Sequence, residues 1–185
     1  MKMCFSLALM FFASSAGASE PVSSCDVGAK RGKRVEVVRD SEIGDTHIYY
    51  VRQEGEVKAL FGNPDDSRGS DVHIACAGQK RHALIVFGMF TSNFLQGFVL
   101  TQNPATGKIE RLDFAEKNRP ARLYIGARQT LIVVPTNGYG ETNKKYIMYR
   151  HVAGSTTDLE PVGIDKLPPV GRFEVIQLEQ SMVSK

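Results

Sequence analysis

The stretch GQKRHALIVFGMF, residues 78–90, places a glycine and a basic turn directly before an apolar run. The same pattern returns about 48 positions later as GARQTLIVVPTNG, residues 126–138. Residues 98–100 and residues 146–148 match at the same spacing. A period of this size is typical of a supersecondary unit that cannot bury its apolar face alone and therefore stacks on its neighbours. We predict that a repeated β unit builds the fold.

Short runs rich in β-branched and aromatic residues alternate with turn residues through the rest of the chain, and few stretches have a helical period. The pattern predicts an all-β fold of antiparallel meanders in about three units of about 48 residues. The predicted strands lie near residue 25 and over 34–39, 46–53 and 56–61, then over 72–77, 82–89, 97–102 and 108–114, then over 122–125, 130–135, 145–151 and 159–164. A last strand over 172–178 is expected to return and pair near the N-terminus.

The number of units limits how the sheet can close. Single-chain propellers typically need about four to eight blades, which is more than this chain provides. We therefore expect a twisted sandwich or a partly open barrel, with a propeller-like sheet as the remaining arrangement.

The first eighteen residues have the pattern of a signal peptide. Lys2 supplies a positive charge, residues 3–13 are almost entirely apolar, and Ala16-Gly17-Ala18 fits a small-x-small cleavage site. We predict a signal peptide over 1–18 and a single all-β domain over 19–185. No later segment approaches the roughly 20 apolar residues of a transmembrane helix. The chain has no Asn-x-Ser/Thr acceptor, which favours a periplasmic or secreted bacterial protein.

Two cysteines, Cys25 and Cys76, remain after the predicted signal peptide. An even pair in an exported chain predicts one disulfide, and two buried thiols are the alternative. The bond would close a loop of roughly 50 residues and remove conformational entropy from the unfolded chain.

The charges divide unevenly between the two ends of the predicted strands. In an up-and-down meander, the first and third turns lie at one end, here called end A, and the second turn and the link to the next unit lie at end B. The basic residues assigned to end A are Lys30, Arg31, Lys33, Arg34, Lys80, Arg81, Lys108 and Arg128. They outnumber the acidic ones there, so end A suits an acidic protein partner or an anionic surface. Ordinary solvation of a charged face is the alternative.

End B carries an apolar loop over residues 88–97. Phe90 and Phe94 of this loop, with Tyr139 of the corresponding loop in the third unit, are candidate partner-binding residues because aromatic side chains are enriched at interface cores. Alternatively, Phe90 and Phe94 fold back and cover the core. With Lys30, Arg31, Lys80 and Arg81 of end A, they complete the predicted partner-binding set.

Motifs for catalysis are missing from the local sequence. The four histidines are scattered, and there is no metalloprotease helix, nucleophile elbow or Cys-x-x-Cys pair. Residues 65–71 space oxygen ligands as calcium loops do but lack the later bidentate acid, so an Asx-rich turn is the simpler explanation. We expect no metal, no cofactor and no nucleic-acid partner.

These observations favour a non-enzymatic binding protein of the bacterial envelope that acts through protein–protein interaction, for example as an inhibitor or an immunity factor. A hydrolase acting on envelope polymers is the first alternative, since scattered Asp, Glu and His residues can be assembled by a fold. A binder of an anionic glycan or lipid surface, using the basic end, is the second.

Overall fold

The computed structural model describes residues 19–29, 32–91, 93–138 and 142–178. Over these residues the chain is all-β, as predicted. The strands are β1 (Glu20–Val27), β2 (Lys33–Arg39), β3 (His47–Gln53), β4 (Glu56–Ala59), β5 (Arg68–Ala77), β6 (Ala83–Met89), β7 (Leu95–Gln102), β8 (Ile109–Glu116), β9 (Arg122–Ile125), β10 (Gln129–Pro135), β11 (Tyr146–Val152), β12 (Leu159–Ile164) and β13 (Glu174–Gln177). A short 3-10 helix, Asp65–Ser67, precedes β5.

The strands form successive four-stranded antiparallel meanders, β1–β4, β5–β8 and β9–β12, followed by β13. The first two meanders belong to one sheet, in the order β1-β2-β3-β5-β6-β7-β8, and the third forms a second sheet, in the order β12-β11-β10-β9-β13. Strand β3 connects the first two meanders within the first sheet. Its later residues pair with β4, and its first residues, His47 and Ile48, pair with the start of β5.

The middle meander is buried on both faces. Leu84 and Val86 of β6 pack against the first meander, in a cluster with Val35 and Val37. The intervening side chains of β6, such as Ile85, pack against the third meander. Because successive side chains point to opposite faces of a strand, only a continuous apolar run can fill both layers. This explains the unbroken run with which the repeat was recognised.

The third meander is covered by the chain that follows it. Tyr124, Leu131 and Val133 lie on its outer face, where Leu167 and Phe173 pack over them. The first meander therefore does not meet this face, and the sheets do not close into a barrel. The fold is an all-β sandwich.

The last strand does not pair near the N-terminus, so that prediction was wrong. Strand β13 pairs with β9, with Glu174 opposite Ile125 and Gln177 opposite Arg122. The segment over 165–173 has to cover the apolar outer face of the third meander, and this path delivers the chain to the free edge of β9.

Cys25 and Cys76 form a disulfide, as predicted, with their Cα atoms 5.3 Å apart. The bond joins β1 to β5, and Cys25 is only 2% exposed in the core between the first two meanders. It therefore links the first meander covalently to the middle one, in addition to the pairing of β3 with β5. Residues 1–18 lie outside the described residues, and the signal peptide stays a prediction. Within the described part of the chain, no helix has the length and apolarity needed to span a membrane.

Candidate functional site

The Gly-led turns of the three meanders meet at end A. Gly28 and His82 exchange backbone hydrogen bonds of 2.8 and 2.7 Å, which fasten the first turn to the second. Residues of both turns, together with the 126–129 turn, line a pocket of about 160 Å³. Gly28 and Gly78 have φ values of +120° and +113°, a conformation that side chains other than glycine rarely adopt. The backbone geometry of the first two turns therefore requires glycine at these two positions.

A pair of equivalent side-chain contacts lies beside this pocket. In the β7–β8 hairpin, Asn103 Nδ2 donates to Glu110 Oε1 at 2.7 Å. In the β11–β12 hairpin, His151 Nδ1 lies 2.8 Å from Asp158 Oδ1. Both contacts join residues seven apart, and they occupy corresponding places in the two meanders. The repeat thus extends to polar side chains that pattern recognition from apolar runs did not detect.

The two contacts are joined into one structure, which we call the polar ladder and define as Asn103, Glu110, His151 and Asp158. His151 Nε2 lies 3.2 Å from Glu110 Oε2, and the backbone amide of Gly154 donates to Glu110 Oε1 at 2.8 Å. The side chains of His151 and Glu110 are only 7% and 14% exposed. The ladder therefore connects the middle and third meanders at end A through the contact between His151 and Glu110.

The ladder resembles a structural network more than a catalytic one. Both nitrogens of His151 face carboxylates, and Glu110 has contacts to both of its oxygens. The nearby hydroxyls of Thr101 and Thr130 contact each other at 3.3 Å. Among the described residues, no histidine ring is hydrogen-bonded to a Ser, Thr or Cys side chain, which is the contact that activates a nucleophile.

We predict that His151→Ala lowers the free energy of unfolding by roughly 2–3 kcal/mol, because the change leaves two partly buried carboxylates without their partner. His82→Ala is the matched control, since the His82 side chain is exposed and lies at the same end of the molecule. Denaturant unfolding of both variants measures the difference. Equal losses for the two histidines would contradict a stabilising role for the ladder.

Glu174 fixes the second turn from the other side. Its carboxylate accepts the backbone amides of Gln79, Lys80 and Arg81, the last two at 3.1 Å. Burial works to raise the pKa of Glu174, but these amide hydrogen bonds outweigh it and hold the pKa below its usual value. The carboxylate is therefore charged at neutral pH and anchors β13 to the middle meander.

Four cations surround these turns, and we call Lys80, Arg81, Arg128 and Arg172 the basic cluster. Lys80, Arg81 and Arg172 line a hollow beside Glu174, and Arg128 and Arg172 line the next one. Within the described ranges, no acidic side chain forms an ion pair with any of the four. Some cations elsewhere are paired, as Arg111 is with Asp113 and Lys144 with Asp165, whereas others, such as Lys117 and Lys166, have no ion pair within the described part of the chain either. Lys30 and Arg31 lie outside the described residues, so their predicted role is neither supported nor opposed.

The aromatic residues predicted for partner binding at end B have different surroundings. Phe90 is 9% exposed, and its ring lies 4.8 Å from that of Phe61 and directly over Gly69, where a side chain would collide with it. Phe90 thus covers the core, which was the alternative stated above. It continues the inward-facing alternation of Leu84 and Val86, a signal that the sequence contained. Phe94 is 43% exposed. Tyr139 lies outside the described residues.

We predict that Phe90→Ala lowers the free energy of unfolding by about 3–5 kcal/mol through the cavity it leaves. Phe94→Ala is the control from the same loop, and we expect it to change the free energy of unfolding by less than about 1 kcal/mol because its side chain is exposed. Thermal and denaturant unfolding of the two variants distinguish the roles. A loss of less than about 1 kcal/mol for Phe90→Ala would contradict the role of Phe90 in covering the core.

No group of three or more His, Cys, Asp or Glu side chains in the described part of the chain could hold a metal ion. Comparison with protein-family models, curated proteins and solved structures finds no match to this chain. Its function therefore has to be inferred from its own residues.

Proposed function

We propose that this chain is an exported, non-enzymatic binding protein whose basic cluster at end A docks an acidic protein partner. The observation that carries the proposal is that Lys80, Arg81, Arg128 and Arg172 are gathered around rigid turns without ion pairs among the described residues. Glu174 offsets part of this positive charge through its attraction to Lys80. An acidic partner would offset more of it and would be steered towards the cluster from a distance.

The backbone beneath the cluster is well suited to recognition. Glu174 fixes the amides of the second turn, and the Gly28–His82 hydrogen bonds fix the first turn against it. Binding residues are commonly placed on loops that a rigid scaffold positions. A partner that docks here would lose little affinity to the ordering of loops, because the turns are already held in place.

A location outside the cytoplasm agrees with the disulfide between Cys25 and Cys76, since such bonds persist in oxidising compartments. A small disulfide-tied domain that neutralises another protein, such as an inhibitor or an immunity factor of the bacterial envelope, would need the features present here. It requires a stable scaffold and a charged docking surface.

The alternatives use the same region in other ways. A hydrolase that uses His151 and Glu110 is disfavoured, because these side chains are largely buried and lie 3.2 Å from each other. An anionic glycan or lipid surface would meet the same four cations as a protein would. The following experiment separates a protein partner from an anionic surface.

The test compares two variants with the same change in net charge. Arg81→Gln, Arg128→Gln and Arg172→Gln are combined in one protein, and Lys117→Gln, Lys145→Gln and Lys166→Gln, which alter exposed lysines at end B, are combined in the control. Each protein is immobilised and exposed to envelope and culture-supernatant fractions, and the retained proteins are identified by mass spectrometry. We expect the wild type and the control to retain the same acidic protein and the end A variant to lose it.

Association kinetics with the retained protein complete the test. Electrostatic steering predicts that the end A variant associates at least about tenfold more slowly at low salt and that its rate depends less on salt. Retention of the same partner by the end A variant would contradict the proposal. So would binding of the wild type only to anionic lipid vesicles or sulfated glycans, which would favour the surface-binding alternative.

A further inference from the structure

We propose that the 126–129 turn, with Arg128 and Arg172, is a receptor for a single carboxylate, and that the acidic partner inserts an Asp or Glu side chain there. The proposal rests on the proposed function, because it names the group through which the partner is recognised at end A. It concerns a different turn from the one that Glu174 occupies.

The protein already uses a Gly-led turn to bind a carboxylate. The amides of Gln79, Lys80 and Arg81 all donate to Glu174, which reaches them from β13. Consecutive backbone N–H groups that point to one side form a concave site for anions. The 78–81 turn is therefore an internal example of the chemistry, with its carboxylate ligand in place.

The 126–129 turn is the counterpart of this turn in the third meander. Strands β5 and β6 pair as far as Ala77 with Ala83, and β9 and β10 pair as far as Ile125 with Thr130, so the later turn is one residue shorter. Its ends are joined by a 3.0 Å hydrogen bond from the amide of Gly126 to the carbonyl of Gln129.

The two backbone amides in the middle of this turn are unoccupied hydrogen-bond donors among the described residues. The amides of Ala127 and Arg128 have no acceptor in the described ranges, and both residues are exposed. These two donors are therefore open to an incoming carboxylate, whereas the amides of Lys80 and Arg81 in the other turn already donate to Glu174.

The surroundings of the turn fit a carboxylate carried on a short aliphatic stem. A hollow of about 210 Å³ lies between the turn and the wall formed by Arg172 and Phe173. The Phe173 ring is held edge-on against Tyr124 at 5.7 Å, and it also closes the space above Gly126. The methylene groups of an Asp or Glu side chain can lie along this ring, while the guanidinium groups of Arg128 and Arg172 are available for charge-assisted hydrogen bonds to its oxygens.

The test is an NMR titration of the protein with two uncharged-end peptides, N-acetyl-Gly-Glu-Gly-amide and N-acetyl-Gly-Gln-Gly-amide, which differ only in the carboxylate. We expect the Glu peptide to shift the amide resonances of Ala127 and Arg128 in a saturable way and the Gln peptide to leave them unchanged. The amides of Gln79 and Lys80 should not move, because Glu174 remains bound to them.

Two variants assign the binding to the proposed groups. Arg172→Gln should weaken binding of the Glu peptide about two- to fivefold, as expected for an exposed charge pair, and Lys166→Gln, an exposed lysine at end B, should leave it unchanged. Equal shifts of the Ala127 and Arg128 amides with both peptides would contradict the proposed carboxylate receptor. So would shifts of similar size at the other basic residues of the protein.

The two proposals can fail separately. If the capture experiment succeeds while the Glu peptide does not shift the amides of Ala127 and Arg128, docking at end A holds and the carboxylate receptor is wrong. If the peptide binds there and partner capture does not depend on the cluster, the receptor holds and the proposed docking function is wrong.

Discussion

Burial of both faces of the middle meander is the constraint on which the rest of the structure depends. Strand β6 supplies Leu84 and Val86 to one layer and Ile85 to the other. Separation of either outer meander would expose an apolar face of the middle meander to water. Burial of each face stabilises the fold by roughly 25 cal/mol per Å² of apolar area removed from water. The stacked order of the meanders follows from this requirement. So does the need for the 165–173 segment, which covers the apolar outer face of the third meander.

Apolar contact between the meanders sets the order of the layers, but it constrains the positions of the turns at the ends of the strands less tightly. At end A the polar ladder joins the middle meander to the third, and Glu174 joins β13 to the turn between β5 and β6. These contacts depend on direction and distance, so they set the relative position of the turns more sharply than apolar packing does. The basic cluster is carried on the same turns. The surface proposed for partner binding is thus positioned by the contacts that complete the fold.

Much of this architecture could be predicted from the sequence, because its signals are local and repeated. The apolar runs beginning at Ala83 and Leu131 indicated strands, and the glycines at 28, 78 and 126 indicated turns that the structure places together. The pairing of Cys25 with Cys76 followed from there being two cysteines after the predicted signal peptide.

Most of the features that were not predicted depend on contacts between residues that are distant in the sequence. The strand with which β13 pairs could not be predicted from the residues of β13, because the preceding segment has to cover the apolar outer face of the third meander. The role of Glu174 depends on that pairing and was missed for the same reason. The polar ladder could have been found, since Asn103 with Glu110 and His151 with Asp158 have the same separation in corresponding hairpins. Phe90 was predicted as a candidate partner-binding residue, although its alternation with Val86 indicated a side chain that faces the core.

Native-state amide hydrogen exchange tests the central claim most directly. If the middle meander is enclosed by the other two, the amides of β6 open only when the whole molecule unfolds, so their exchange should give the full free energy of unfolding. The amides of β12, an edge strand with exposed side chains, should exchange through local opening at a much lower free energy. This ranking is the result that the stacked arrangement predicts. Exchange in β6 as fast as in β12 would show that the middle meander is not enclosed and would contradict the account.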